Sequence, residues 1–419
     1  MRVLILGGGG REHALAWRLS KSPAVKQIWA CPGNPGMAQV AVCIPAPADV
    51  SAYADLAEAH QVDLTVVGPE APLVAGVVDH FRERKLNIIG PTRAAARLEG
   101  SKIFAKQFCA RAGIPTARSV EVTSFAEARQ ALQRFSFPVV IKADGLAAGK
   151  GVIIAREEQE AVAALGRLGP NLVLEEFLEG EEVSFIGLSR GEQFLPFAPT
   201  QDHKRVFDGD RGPNTGGMGA YCDRRILTSE QSGEVMERII LPALARMRQE
   251  GHPFTGFLYA GLMMTQDGPK LLEFNVRLGD PEAQALLHSF SGDFAELLAE
   301  PRLTADPDWG SPSVCVVLAA SGYPEHPRAG DPITGIAEAE ALGATVFHAG
   351  TRQREGRLET SGGRVLGVTA GGNSLQAAIE RAYQAVSKIH FDGMHYRTDI
   401  GQKGLKRWAA AVSQANPGQ

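Results

Sequence analysis

Val139-Val140-Ile141-Lys142-Ala143-Asp144-Gly145-Leu146-Ala147-Ala148-Gly149-Lys150-Gly151-Val152-Ile153-Ile154-Ala155 places two apolar runs on either side of a glycine-rich loop. A Walker-type loop leads from a strand into a helix, separates its outer glycines by four residues and follows its lysine with Ser or Thr. Here three residues separate Gly145 from Gly149, and Gly151 follows Lys150. The apolar runs on both sides read as two strands of a hairpin, so the loop is a mobile cover and not a strand-to-helix cradle. Such a lid closes on a triphosphate with Lys150 and the backbone N–H groups of Gly145, Gly149 and Gly151. Lys142, at the end of the first strand, is placed to pair with phosphate oxygens.

Outward from this hairpin the pattern stays compact and α+β. It reads as helix (124–135), strand (138–142), strand (152–155), helix, strand (172–175) and strand (182–188). The segment Leu174-Glu175-Glu176-Phe177-Leu178-Glu179-Gly180-Glu181-Glu182 passes from strand to turn. It offers carbonyl and amide groups for an adenine edge, and Glu182 offers a carboxylate for ribose hydroxyls. Further on come the polar, glycine-rich 208–219, a helix near 229–249 and strands at 257–265 and 270–276. In Leu271-Leu272-Glu273-Phe274-Asn275-Val276-Arg277, alternation puts Glu273, Asn275 and Arg277 on one face and Leu272, Phe274 and Val276 on the other. Glu273 and Asn275 supply hard oxygens for Mg²⁺, and Arg277 can fork onto a carboxylate or a phosphoryl group in transfer. Asp280-Pro281-Glu282 then adds acid suited to an amine.

The first hundred residues repeat another rhythm, in which a short apolar run ends in a glycine or proline turn and a helical pattern follows. This is βα with a parallel sheet. Val3 to Leu6 leads into Gly7-Gly8-Gly9-Gly10, and Leu64 to Val67 leads into Gly68-Pro69-Glu70. Ligands of open parallel sheets sit where the strands end, which gathers the turns at Gly7, Gly33 and Gly68 around one crevice. A dinucleotide fingerprint fails there, because Glu12 stands where the third glycine belongs and the next strand ends in Ala30-Cys31 without a ribose-binding acid. Glycines at a helix start still favour an anion such as a sugar phosphate, with Asn34 and Glu70 on neighbouring turns.

Composition narrows the classes. The 419 residues carry 43 Lys and Arg against 47 Asp and Glu, a net charge of −4, which argues against a nucleic-acid partner. With 44% hydrophobic and 21% charged residues the chain should fold into several packed domains. No apolar run is long enough for a bilayer, so no membrane association is expected. The five cysteines are scattered without a C-x-x-C pair, which fits a reducing cytoplasm.

Ordered motifs then carry a resemblance across essentially the whole chain. They are Gly9-Gly10-Arg11-Glu12-His13-Ala14, Pro32-Gly33-Asn34, Val67-Gly68-Pro69-Glu70, Glu99-Gly100-Ser101-Lys102, the loop 141–151, Gln201-Asp202-His203-Lys204-Arg205, Gly212-Pro213-Asn214-Thr215-Gly216-Gly217-Met218-Gly219 and Glu273 through Glu282. The chain resembles the glycinamide ribonucleotide synthetase (phosphoribosylamine–glycine ligase) family of purine biosynthesis. The resemblance implies an ATP-grasp fold, α/β and α+β in several domains, with a Rossmann-like parallel-sheet domain first and an α+β domain last. The implied division is 1–100 for phosphoribosylamine, 101–119 with 189–322 as the central grasp domain, 120–188 as the ATP lid and 323–419 as the C-terminal domain.

The resemblance also implies roles. Lys102 and Lys142 would touch phosphates, Glu175 and Leu178 adenine, Glu182 ribose, and Glu273 with Asn275 the Mg²⁺ or Mn²⁺. Thr215, Gly216, Gly217, Met218 and Gly219, with Arg277 and Asp280, would form the glycine and acyl-phosphate pocket. Gly9, Gly10, Asn34 and Glu70 would hold 5-phosphoribosylamine. A cytoplasmic monomer with ATP, glycine and 5-phosphoribosylamine as its ligands is the corresponding expectation. Two departures stand out: Gly8 occupies a position where the family usually has Asn or Ser, and Gly166-Arg167-Leu168-Gly169-Pro170 replaces a longer segment. The competing readings are an ATP-grasp enzyme activating bicarbonate or formate, and a non-catalytic nucleotide sensor on the same fold.

Overall fold

A computed structural model describes residues 1–147, 151–303 and 309–415. Gly149 and Lys150, expected at the tip of the lid, lie outside the described residues. The N-terminal sheet has five parallel strands in the order Val42–Cys43, Gln27–Pro32, Arg2–Gly7, Leu64–Val67 and Ile88–Ile89. Its centre reads as an uninterrupted apolar run because helices cover both faces, and Val3 to Leu6 are fully buried.

The lid is a four-stranded antiparallel sheet ordered Ser119–Val122, Leu172–Glu176, Val139–Ala143, Val152–Ala155. The expected hairpin pairs Val139 with Ala155 through Lys142 with Val152, and the Ala143 N–H donates to the Gly151 carbonyl at 2.8 Å. Helices Phe125–Leu132 and Glu158–Leu168 pack their apolar sides into a separate small core with Val122, Ile141 and Leu174.

Nine of the remaining strands form one sheet, and the other four make two separate two-stranded hairpins, Arg205–Phe207 with Arg211–Asn214 and Thr351–Arg354 with Arg357–Thr360. The path of the nine-stranded sheet runs Gly268–Asn275, Thr255–Thr265, Glu181–Arg190, Thr200–Asp202, Gly219–Cys222, Ser313–Ala319, Arg364–Gly371, Thr345–His348, with Gln193–Pro196 attached to Glu181–Arg190. Two expectations are corrected here. The strand read at 182–188 and assigned to the lid pairs residue for residue with Thr255–Met264, in the central sheet. Strand Ser313–Ala319 lies between Gly219–Cys222 and Arg364–Gly371, so one sheet crosses the boundary expected at 322/323. Which sheet a strand joins depends on a distant partner, and local apolar pattern does not encode that choice.

Two local readings also change. The helix read at 229–249 is interrupted by a π-helical turn, Met236–Ile240, before Leu241–Gln249. Pro242 has no N–H to offer the carbonyl one turn back, which favours a wider turn. In Gly268–Asn275 the register slips, with Gly261 opposite Glu273 but Leu262 opposite Leu271. This bulge frees Leu272 from the core side, where alternation placed it, and packs it with Ala117, Leu178 and Met263.

Candidate active site

A cleft of about 1000 Å³ lies between the lid and the nine-stranded sheet and reaches the ends of the N-terminal strands. At one end Leu178, Met263 and the bulged Leu272, packed with Ala117, give the cleft an apolar lining, a chemistry suited to a flat aromatic ring. Beside it the buried Glu175 carboxylate takes two ammonium groups, Lys106 at 3.1 Å and Lys142 at 2.9 Å. Lys142 also donates to the Leu272 carbonyl at 3.0 Å, tying lid to floor. The Glu175 side chain is thus the counter-charge of Lys142, and the residue borders the cleft next to Glu176, Phe177 and Leu178. Glu182 lines the cleft and pairs with Lys204 at 3.1 Å.

Lys102, at the start of helix Lys102–Ala112, donates to the Gly145 carbonyl at 2.8 Å. Asp144 from the same loop accepts from Ser101 Oγ at 3.0 Å and from the Ile103 N–H at 3.1 Å, so the lid loop seats on the helix N-terminus. Burial, with Lys142 nearby, lowers the pKa of Lys102 despite Glu273. Gly145 and Gly151 both line the cleft.

On the floor, burial pushes the Glu273 carboxyl up, but Lys204, Lys142, Arg277 and Lys102 overcome it and hold it below its ordinary value. Asn275 Oδ1 accepts from Arg277 Nη2 at 3.0 Å and keeps a second lone pair. One ionised carboxylate and one amide oxygen fit a small, hard cation that draws its other ligands from phosphate and water. Arg277 is pinned by Glu99 at 2.7 Å and Glu70 at 3.4 Å. Glu70, read as a sugar ligand, thus spends part of its charge on Arg277, and its own pKa is lowered by Arg277 and Arg11 against burial.

Asp280 faces Arg364 at 3.4 Å and accepts from Gln284 at 2.9 Å. Burial opposes its charge, while Arg364 and Arg11 keep it below the ordinary carboxylate range. Thr215 and Gly216 reach the same end of the cleft. Thr215 Oγ1 donates to the Lys204 carbonyl at 2.8 Å and accepts from the Gly217 N–H at 3.0 Å. The rest of that expected loop turns away. Met218 is fully buried with Val206, Ala319 and Tyr323, and Gly219 pairs with Val316 in the sheet. Gly217 has φ +111°, and a Cβ there would lie 2.5 Å from Pro281, so only glycine fits this turn.

The N-terminal residues Gly9 and Asn34 are bonded within their own domain and to the last one. The Gly9 N–H is taken by Glu12 Oε2 at 2.6 Å, completing a cap at the start of its own helix. A Cβ at Gly10 would meet Gln284 Nε2 at 2.5 Å, which marks Gly10 as a close-packing residue. Asn34 donates to the carbonyls of Gly8 and His348, at 2.9 and 2.8 Å, and accepts from the Met37 N–H. Gly9, Gly10 and Asn34 do not border the cleft, whereas Arg11 and Glu70 do.

Sequence reasoning gave no role to Arg11, Glu99, Lys106, Asp202, Lys204 or Arg364, all of which border the cleft. Signals existed for some. Lys102 and Lys106 have the i, i+4 spacing of one helix face, and Asp202, the last residue of its strand, and Lys204 have the i, i+2 spacing that puts two side chains on one side of an extended chain. Burial, Glu282 and Glu182 raise Asp202 to about 7 against Lys204. Arg364 carries no local signal.

A nucleotide-sized cleft between an antiparallel lid sheet and a larger antiparallel sheet, with lysines above and a carboxylate–amide pair below, defines an ATP-grasp enzyme, a class that uses ATP and a divalent metal. Family models for the N domain, the ATP-grasp (A) domain and the C domain of phosphoribosylglycinamide synthetase match residues 1–99, 100–283 and 313–403. The chain belongs to the phosphoribosylglycinamide synthetase family. The Pseudomonas aeruginosa phosphoribosylamine–glycine ligase is 50% identical over 427 residues, spanning 97% of this chain and 99% of that protein. The Escherichia coli K12 protein of the same name is 48% identical over 429 residues, with the same coverage. A crystal structure of the Thermotoga maritima phosphoribosylamine–glycine ligase, 34% identical, superposes with a TM-score of 0.84 over 96% of this chain and all of that one.

Proposed function

We propose that the chain joins glycine to 5-phosphoribosylamine at the expense of ATP, through glycyl phosphate, giving glycinamide ribonucleotide, ADP and phosphate in purine biosynthesis. The observation that carries the reading is the convergence on one cleft of Lys102 and Lys142, of Glu273 with Asn275, and of Asp280 beside Thr215 and Gly216.

Adenine lies against the apolar lining of Leu178, Met263 and Leu272, with Glu182 towards the ribose. Lys102 and Lys142 meet the phosphates, and Lys102 exchanges its Gly145 carbonyl for them. Glu273 and Asn275 would hold Mg²⁺, which when bound supplies charge neutralisation at the phosphoryl group. A glycine carboxylate is a poor electrophile at neutral pH and must first be phosphorylated. Asp280, kept ionised by Arg364 and Arg11, receives the glycine ammonium, and this orients the carboxylate towards the γ-phosphate. The fixed cations Lys102, Lys142 and Arg277 stabilise charge as it moves. The amine of phosphoribosylamine then attacks the acyl carbon from the side of Arg11 and Glu70. Both the acyl phosphate and the aminosugar hydrolyse readily, so the lid loop must exclude water.

Among the described residues no helix is long and apolar enough to cross a membrane, and a cytoplasmic monomer fits this reading. The test is acid-dependent turnover. With phosphoribosylamine and ATP present, glycine should elicit ADP and glycinamide ribonucleotide in equal amounts. ADP release driven by bicarbonate or formate in the absence of glycine would refute the assignment.

A further inference from the structure

Strands Arg205–Phe207 and Arg211–Asn214 pair only with each other, apart from the large sheet. A lone two-stranded hairpin is marginal in water. Yet this one runs directly into Thr215 and Gly216, and its Arg205, Asp210 and Asn214 border the cleft. Something outside the hairpin must hold it.

That support comes from the other end of the chain, residues 395–403. Arg397 is fully buried. Its guanidinium donates from Nε and Nη2 to the two oxygens of Asp399, both at 2.7 Å, and from Nη1 to Asp210 Oδ1 at 2.9 Å and the Arg205 carbonyl at 3.1 Å. Asp399 then accepts from the Gly209 N–H at 2.9 Å. Asp208 accepts from the Thr398 N–H at 2.8 Å and from its hydroxyl. His395 Nε2 meets the Val206 carbonyl at 2.9 Å, with its ring edge-on to Phe207. Lys403 reaches Asp210 and borders the cleft. The first strand and the turn are therefore bonded to one segment, which holds the second strand through its pairing with the first, and Arg397 reaches both the strand and the turn without bordering the cleft itself.

The geometry points to Arg397 as a positioning residue that latches hairpin 205–214 to the C-terminal segment and thereby sets the glycine end of the cleft; this rests on the proposed reading of that end as the glycine pocket. The fork matters as much as the charge. Five donors in a fixed plane serve Asp399, Asp210 and a backbone carbonyl together, which an ammonium cannot reproduce. Because the adenine end of the cleft is built from other elements, the effect is confined to one substrate.

Arg397→Lys should raise the KM for glycine about 10-fold or more, since small misplacements of a binding group are costly, while affinity for a non-hydrolysable ATP analogue stays unchanged. Thr398→Val, at an exposed position, removes one latch bond and should shift the glycine KM in the same direction by a smaller factor. Amides of 205–214 should exchange faster in both variants. A folded Arg397→Lys enzyme with wild-type glycine KM, or with an equal loss of ATP-analogue affinity, overturns the latch. Should Arg397→Lys fail to fold, an unchanged glycine KM in Thr398→Val overturns it. If the wild-type enzyme does not use glycine at all, the functional reading fails, and hairpin exchange in Thr398→Val still decides the latch.

Discussion

Glu273 shows how little of a site's chemistry resides in one residue type. A carboxyl with this burial would ordinarily resist ionisation, and four cations reverse that. Glu273→Ala should therefore fold while losing about 10²-fold or more of its turnover, because a preorganised charge partner of the reaction is gone. Near-normal turnover across a Mg²⁺ titration would refute the metal assignment. His203 makes the opposite case. It is fully buried, neither ring nitrogen has a hydrogen-bond partner, and burial with Lys403 and Arg397 lowers its pKa to about 3. The folded state therefore holds it neutral while the unfolded chain takes a proton below its ordinary value near 6.5. Stability should fall as pH drops from 6.5 towards 3, by roughly 2 kcal/mol per such histidine at pH 5. Replacing His203 with Met should flatten the decline of Tm between pH 7 and pH 5, and an unchanged slope would exclude it as the source.

The lid shows which parts of an element the sequence can express. Its hairpin was legible because two apolar runs flank a loop whose spacing is wrong for a Walker motif. The bulge at Leu272 was not, since strict alternation is the simplest reading of seven residues and the slip depends on the neighbouring strand. The cap on the Gly9 turn is hidden for a related reason: glycines before a helix look the same whether or not a side chain such as Glu12 accepts from their N–H groups. What joins lid to body was hidden too, because Lys106, Glu175 and Lys142 come from three separate segments. Lys106 also donates to Thr116 Oγ1 at 2.7 Å and the Ala117 carbonyl at 3.2 Å, on the connection into the lid. Lys106→Met leaves the buried Glu175 with one cation of two, so Lys142 is drawn further onto the carboxylate. The affinity for ATP should fall about 10-fold, the equivalent of ~1.4 kcal/mol, with little change in the KM for glycine. Equal shifts for both substrates would show that Lys106 acts on the fold as a whole.

Across the whole molecule the division into functional parts and the division into folding units differ. The resemblance implies a last boundary at 322/323 and the family matches leave a break between 283 and 313, yet strand Ser313–Ala319 is interior to the nine-stranded sheet, and every one of its residues is buried. It covers Gly219–Cys222 on one side, and its far neighbour Arg364–Gly371 carries Arg364, whose guanidinium donates to the carbonyls of Gly216 and Asp280. The first domain is bound to the last as well: the His348 N–H donates to His13 Nδ1 at 2.7 Å, and the His348 carbonyl accepts from Asn34. A chain ended at residue 312 would thus expose an unpaired sheet edge beside Gly219–Cys222 and strip the apolar covering of Val314, Val316 and Leu318 from the main core. Exposed edges of this kind recruit other strands. The fragment 1–312 should be aggregated or lack a cooperative melting transition, although it retains Lys102, Lys142, Glu273, Asn275 and Asp280. A soluble 1–312 fragment that unfolds cooperatively and binds an ATP analogue would show that the C-terminal strands are an addition to a complete grasp domain and not part of its sheet.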